Sequence, residues 1–454
     1  MNLSRISLFV STFLAFFLIF GLPTAPPACA DDDLVQSVSD LVSDKDKDVR
    51  AVGLEQVRDE VKGTEATRRF AALLPKLAPE AQVGLLGALA ERGDAAAMPA
   101  VLDLLNNSQA DVRGAAIRAL GALGDNGDVP RLTELLGEAK SEKDAVAAII
   151  RLHGEGINTA LCAEMKAAAP AQRVKLLRLL VARHAIDCVP TLLDAAKDAN
   201  ANVRVAALDA LGQLAGPELV AKLARLILDA KDAVAREEAE KSLMLIAQRD
   251  TKVDIDKQAL PLLNVMAGLS EQEKTALLPA LGRIGGKPAL KVIEEALADR
   301  DAARSAAALY ALCNWPNGRV APRLAELALT AKTPADRKRA VDALIRVAPL
   351  PDKRPVALRL VMLKKAMELA SSDEQKALVL KRASAVLSLE TLHFVAPYMD
   401  QPGFAQSACK TVVELAHHKE LRQPNKAEFN KALDKVLALS KDPEVILRAN
   451  HYQK

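Results

Sequence analysis

His153, Cys162, His184 and Cys188 are the residues of this 454-residue chain that come nearest to a metal set. Two imidazoles and two thiols are the complement of a tetrahedral zinc site, and His184 and Cys188 stand one helical turn apart. Their setting argues against it. His184 and Cys188 flank a turn between helices, and Cys162 lies a turn deeper in its own helix than Cys188 does, so no metal and no cofactor is expected. In an oxidising compartment a Cys162–Cys188 disulfide is the other use of the two thiols, and the sequence leaves it open. The chain holds six histidines, four of them after residue 390, but no Walker A loop, H-E-x-x-H, G-x-S-x-G elbow or C-x-x-C-H site. No catalytic residue is assigned.

A second group points to binding. Tyr310, Trp315, Arg319, Arg323, Arg337, Lys338 and Arg339 lie close in sequence, with Arg346 just beyond, and Phe394, Tyr398, Phe404, Phe429 and Tyr452 follow. These hold seven of the eight aromatic residues that remain once residues 1–30 are set aside. Arginine and aromatic side chains dominate binding hot spots, so Tyr310 to Arg339 is the expected partner site. The plainer account is a solvated helix face and an irregular core that needs larger residues.

The elements that must position these residues repeat. Asp111-Val-Arg-Gly-Ala-Ala-Ile-Arg-Ala-Leu-Gly121 returns as Asn202-Val-Arg-Val-Ala-Ala-Leu-Asp-Ala-Leu-Gly212, 91 residues on, or three units of about thirty. Each unit is a pair of amphipathic helices that buries its apolar face only by stacking on its neighbours. In the clearest unit, Ser108 with Asp111 has capping-box form, Val112, Ala115, Ile117, Leu120 and Leu123 make the apolar stripe, and Gly124 is expected to close the helix in the left-handed conformation. Ser141 with Asp144, Ser270 with Glu273, Thr333 with Asp336 and Ser371 with Glu374 mark further first helices, while Pro99, Pro130, Pro190 and Pro322 open second helices. Arg50, Arg113 and Arg204 recur at one position and read as a ladder that fixes the angle between layers. Glycines such as Gly121, Gly212 and Gly282 read as points of close backbone approach. Arg249 to Gln258 and Leu350 to Pro355 break the period.

These strings, Asp-Val-Arg-x-Ala-Ala-x-x-Ala-Leu-Gly followed by Val-Pro-x-Leu-x-x-Leu-Leu, resemble HEAT repeats of the PBS-lyase HEAT-like type. The resemblance implies an all-α, right-handed α-solenoid (superhelix, ARM-type fold) of about a dozen two-helix repeats, regular to about residue 350 and degenerate over 351–454. It implies second helices lining a concave face where a partner is held, and no reaction. The iron hydroxylases of the HEAT family use His-Glu dipeptides as ligands, and this chain has none.

Residues 1–30 are of another kind. Arg5, an uncharged and mostly apolar run from Ile6 to Leu22, prolines at 23, 26 and 27, and Ala28-Cys-Ala30 read as a signal peptide cleaved after Ala30. The expected location is periplasmic or secreted. Without the signal the net charge is close to zero but polarised: residues 31–60 sum to −6, 61–300 to −1 and 301–454 to +9. The expected function is therefore an exported, non-enzymatic scaffold for protein–protein interaction, whose concave face and basic C-terminal third hold a protein, an acidic one among the options, or an anionic polymer. Nucleic acid is disfavoured by export and by the low net charge. Two alternatives stand: a lyase-like or enzyme-accessory protein, and a membrane-anchored adaptor if the N-terminal segment is retained.

Overall fold

A computed structural model describes residues 27–59 and 62–453, and every regular element among them is helical. The signal segment, residues 1–26, lies outside the described residues. The chain forms two compact units, Met1–Glu164 and Met165–Lys454.

In the first unit the first helices Lys47–Asp59, Pro79–Arg92, Ala110–Leu123 and Glu142–Arg151 stack in chain order, each followed by a second helix such as Met98–Asp103 or Val129–Gly137. In the second unit Pro170–Ala182, Ala201–Leu214, Ala233–Ala247, Glu271–Ile284, Ala302–Cys313, Pro334–Val347, Asp373–Ala383 and Ala405–His417 do the same. The apolar stripe is the seam: Val112, Ile117, Leu120, Leu132 and Leu136 are wholly buried, as are Leu211, Leu281 and Leu344 in the corresponding helices. The second helices Met98–Asp103, Val129–Gly137, Val189–Ala195 and Ala321–Thr330 are each entered through a single 3-10 turn, and Pro99, Pro130, Pro190 and Pro322 sit in the first turn after it, where the missing amide hydrogen has no partner to lose.

Close approach between first helices rests on glycine. A Cβ at Gly121 would lie 2.7 Å from both Cβ and O of Ala148 on the next first helix, and one at Gly282 would lie 2.7 Å from Ala311 Cα.

Several helix ends differ from the sequence reading. The helix expected from Ser108 starts at Ala110, because Asn107 makes the turn instead: its side chain accepts from Gln109 N (2.9 Å), and its carbonyl accepts from Arg113 Nη1 (2.8 Å). Gly124 has φ −78 and ψ 172, so the chain leaves in extended form rather than left-handed. Ser141 makes no cap. Its hydroxyl donates to Glu138 (3.1 Å), while Asp144 pairs with Arg118 of the preceding first helix. The Ser270–Glu273 capping box is complete, Thr333 caps Asp336 N, and the cap expected at Ser371 falls on Ser372.

The two breaks in the period are insertions between repeats. First helices otherwise start 31 or 32 residues apart through most of this unit, but the intervals from Ala233 to Glu271 and from Pro334 to Asp373 are 38 and 39. Both insertions are used. The first carries the one-turn helix Ile255–Gln258, whose Asp256 accepts from the backbone N–H of Lys287 (2.7 Å) and from Arg319 Nη1 (3.0 Å). These bonds hold the Asp256 carboxyl below its ordinary range, the Lys287 amide contributing most. The second carries the Asp352–Arg354 ion pair (2.7 Å), which lies on Gly318, one residue from Arg319, in space that a side chain would fill. Two insertions about a hundred residues apart thus meet at one 3-10 turn, Gly318–Val320.

Candidate functional site

Arginines tie successive layers at both ends of the first helices. At the starts, Arg50 donates to Asp44 O and Lys45 O (3.1 and 2.8 Å) and pairs with Glu80 of the next first helix (3.1 Å). Arg204 donates to Asp198 O and Ala199 O (2.9 Å each) and pairs with Asp232 (2.5 Å), the residue that caps the next first helix. Arg113 makes the corresponding carbonyl bond. The sequence singled out this row as structural, and its partners are carbonyls and acids of adjoining layers.

A second row, at the ends of the first helices, escaped notice because its members sit at no fixed position in the repeat string. Arg92 donates to Val57 O (2.8 Å), Arg249 to Gly212 O (2.7 Å), Arg346 to Cys313 O (2.9 Å) and Arg382 to Arg346 O (2.7 Å). Each bond satisfies a carbonyl that the preceding helix leaves without an intrahelical partner. Inside the stack, Glu240 is buried and paired with Arg283 (3.2 Å), and its burial raises the carboxyl above its ordinary range against the opposing pull of that arginine.

The metal candidates do not form a centre. Cys162 and Cys188 are both disulfide-bonded, so neither offers the thiolate a metal needs, and among the described residues no group of three or more His, Cys, Asp or Glu is placed to hold a metal ion. His153 is exposed, with Nδ1 3.4 Å from Arg151 O, and His184 is exposed in the turn with φ 52. Cys313 and Cys409 are free and buried; burial pushes the Cys313 thiol up to about 12.

The seven residues of the expected partner site divide. Trp315 is wholly buried and belongs to the core, where it packs beside Gly285, and so cannot touch a partner. Arg319 is held by Asp256 of the first insertion, and Arg323, opening the second helix Ala321–Thr330, pairs with Glu294 and Glu326 (3.1 and 2.8 Å). Arg337 is exposed on the helix Pro334–Val347. Only Tyr310, Lys338 and Arg339 come together, in a groove of about 430 Å³ between the first helices Ala302–Cys313 and Pro334–Val347. Cys313, Asn314, Ala335, Asp342, Ala343 and Arg346 complete its lining. The Arg339 guanidinium stands 5.9 Å from the centre of the Tyr310 ring, a cation–π distance, and Lys338 pairs with Asp342 (2.6 Å). Arg346, which the sequence places with the basic run, lies seven residues past Arg339, two helical turns along the same face.

The remaining aromatics make two clusters. Phe394, Tyr398 and Phe404 meet edge to face, with Lys364 Nζ 5.8 Å from the Phe394 ring. Tyr452 lies under Arg422 and Arg448, its hydroxyl 2.8 Å from His417 Nδ1, and Arg448 grips Glu414 through two bonds (2.7 and 3.2 Å). Phe429 is core.

Among solved structures the chain is similar to Kap121p bound to Pho4p, at 12% identity over 90% of this chain and 54% of that one, with a TM-score of 0.43. It is also similar to Kap121p alone, at 13% over 94% and 57%, TM-score 0.43, and to human deoxyhypusine hydroxylase in complex with glycerol, at 19% over 63% and 98%, TM-score 0.25. The chain thus spans little more than half the length of the karyopherin chains. No curated protein matches it. The HEAT-repeat family pattern matches residues 67–152 and 158–244. Residues 67–152 and 158–244 are thus HEAT repeats, and the same pairing of first and second helices continues beyond them.

Proposed function

We propose that this protein is an exported, non-enzymatic scaffold that holds a protein partner on its second-helix face and its basic C-terminal third. The observation that carries this reading is a set of three exposed aliphatic side chains on two adjoining second helices, called the strip below. Leu329, at the end of Ala321–Thr330, is 60% exposed, and Leu358 and Val361, on Val356–Leu369, are 50% and 49% exposed. A helix stack of this kind has no need to expose three large aliphatic side chains on neighbouring layers, and such patches mark interaction sites. The strip lies in the part of the chain where the charge sum is +9.

Export is supported by the signal-like residues 1–30 and by the disulfide-bonded state of Cys162 and Cys188, which suits an oxidising compartment. Among the described residues no helix is long and apolar enough to cross a membrane. Cross-linking and mass spectrometry of the protein in its native compartment tests the reading. It expects links to a partner from Lys353, Lys364 and Lys365, which flank Leu358 and Val361 in sequence, and Asp31 as the N-terminal residue of the recovered chain. Links confined to residues outside 301–454 would refute the assigned surface.

A further inference from the structure

The geometry points to the groove between Ala302–Cys313 and Pro334–Val347 as a carboxylate-binding socket, in which an aspartate or glutamate side chain of an acidic peptide segment sits between Arg339 and Arg346 against Tyr310. This rests on the scaffold reading and names the chemistry of the partner at one site.

Four observations converge on it. The lining holds three cations, Lys338, Arg339 and Arg346, and one carboxylate, Asp342. That carboxylate is already engaged by Lys338 and by Gln375 Nε2 (2.7 Å). Arg346 has no carboxylate partner among the described residues. Its Nη2 serves the carbonyls of Cys313 and Trp315 (2.9 Å each), leaving Nε and Nη1, three of its five N–H donors, without an acceptor there. Burial disfavours its charge and draws its pKa down, and the neighbouring Arg382 and Arg283 add to the effect. A partly buried guanidinium short of an anion and facing like charges is a site where an incoming carboxylate gains most.

Arg339 is equally available. Among the described residues its only ion pair, with Asp336, is long at 3.7 Å, and its guanidinium lies by the Tyr310 ring, which leaves its N–H edge for a ligand. The Cys313 thiol at the floor carries no charge at neutral pH and offers no repulsion. Tyr310 supplies an apolar wall for the methylene carbons of the acidic side chain. The groove is open along the helices, which suits a peptide rather than an enclosed small molecule.

The test is a titration of the full mature chain against a fluorescein-labelled peptide of eight glutamates, with an eight-glutamine peptide alongside. The glutamate peptide is expected to bind saturably and to weaken as salt is raised, and the glutamine peptide not to bind. Arg339→Gln, on an exposed side chain, is expected to weaken binding at least about tenfold without moving the melting temperature, since a charge-assisted contact is worth roughly that factor. Arg346→Gln should do the same; because it also removes two helix-end bonds, Arg346→Lys, which keeps the charge and loses the fork, is the companion and should fall between. Lys410→Gln, on a distant exposed site, should stay within twofold. Equal affinity of wild type and Arg339→Gln for the glutamate peptide, equal binding of both peptides, or no binding by the wild type would each overturn the socket. Failure here together with cross-links at Lys353, Lys364 or Lys365 would leave the scaffold reading standing and remove only the socket.

Discussion

The same substitution in two first helices of the same unit should move stability in opposite directions. Gly87 and Gly121 occupy the helices Pro79–Arg92 and Ala110–Leu123. A Cβ at Gly87 meets no atom within 4 Å, so Gly87→Ala should gain what alanine gains over glycine in a helix, about 0.5–1 kcal/mol. At Gly121 the same Cβ would stand 2.7 Å from Ala148 Cβ and O, well inside ordinary contact. Ala148 Cα would be closer still, so relief requires the helices Ala110–Leu123 and Glu142–Arg151 to part by about 1 Å, and a gap of that order forfeits a quarter to a half of the dispersion attraction across the seam. Overpacking of this kind costs about 1–3 kcal/mol, which exceeds the gain in helix propensity, so Gly121→Ala should be destabilising by about 1–2 kcal/mol. The two variants should therefore differ in melting temperature by roughly 5 °C or more, measured by circular dichroism on the full chain. A Gly121→Ala protein as stable as Gly87→Ala would mean that the two helices do not touch at this glycine, and the layer spacing deduced for the seam would be wrong.

Leu120→Asp, which places an unpaired charge at a wholly buried site, should cost several kcal/mol and lower the denaturant midpoint of the first unit; an unchanged midpoint would mean that the stripe faces water. Asp256→Ala should release the first insertion, seen as faster proteolysis between residues 249 and 258, whereas Asp256→Asn, which keeps an acceptor for Lys287 N, should lose less; equal rates for the two would show that the Lys287 bond contributes nothing. Glu414 is held below its ordinary 4.5 first by its bonds to Arg448, so the stability it gives the helix Pro443–Gln453 is complete above about pH 4.5 and drains away as the pH falls through the depressed value. Hydrogen exchange over residues 443–453 should accelerate on acidification, and Glu414→Gln should already exchange fast at pH 7.

The helix pairs, their period, the buried stripe, the second-helix prolines and both interruptions could be read directly from the residues, because each follows from a local pattern: apolar spacing, a missing amide hydrogen, a broken repeat. Caps were read less well. Ser108 and Ser141 have the right residue three positions on, but a cap is a contest between nearby acceptors, and Asn107 and the Arg118–Asp144 pair win it. The partner site was read as one patch from nearness in sequence, and the fold divides it. Residues 310, 338 and 339 meet because successive first helices pack side by side, whereas Trp315, only five residues from Tyr310, turns inward at the helix end. Arg346 could be counted with the basic run, but nothing in its own helix distinguishes an arginine that satisfies carbonyls from one that also lines a groove.

What separates residues 302–354 from the rest of the array is that local rules are broken there together. The only tryptophan is buried with its Nε1 lacking an acceptor among the described residues, a free thiol is buried beside a partly buried guanidinium, and two insertions converge on one turn. Some cations between layers have an anion, as Arg204 has Asp232 and Arg283 has Glu240. Arg249, Arg382 and Arg346 serve carbonyls instead, and of these three Arg346 is the one that lines the groove beside Arg339 and Tyr310. Departures from local consistency concentrate where function competes with stability. The straps from Asp256 and from Asp352–Arg354 then have a purpose beside the groove: by fixing the turn that follows Ala302–Cys313, they hold one wall of the socket still, so that ordering it is not charged against binding.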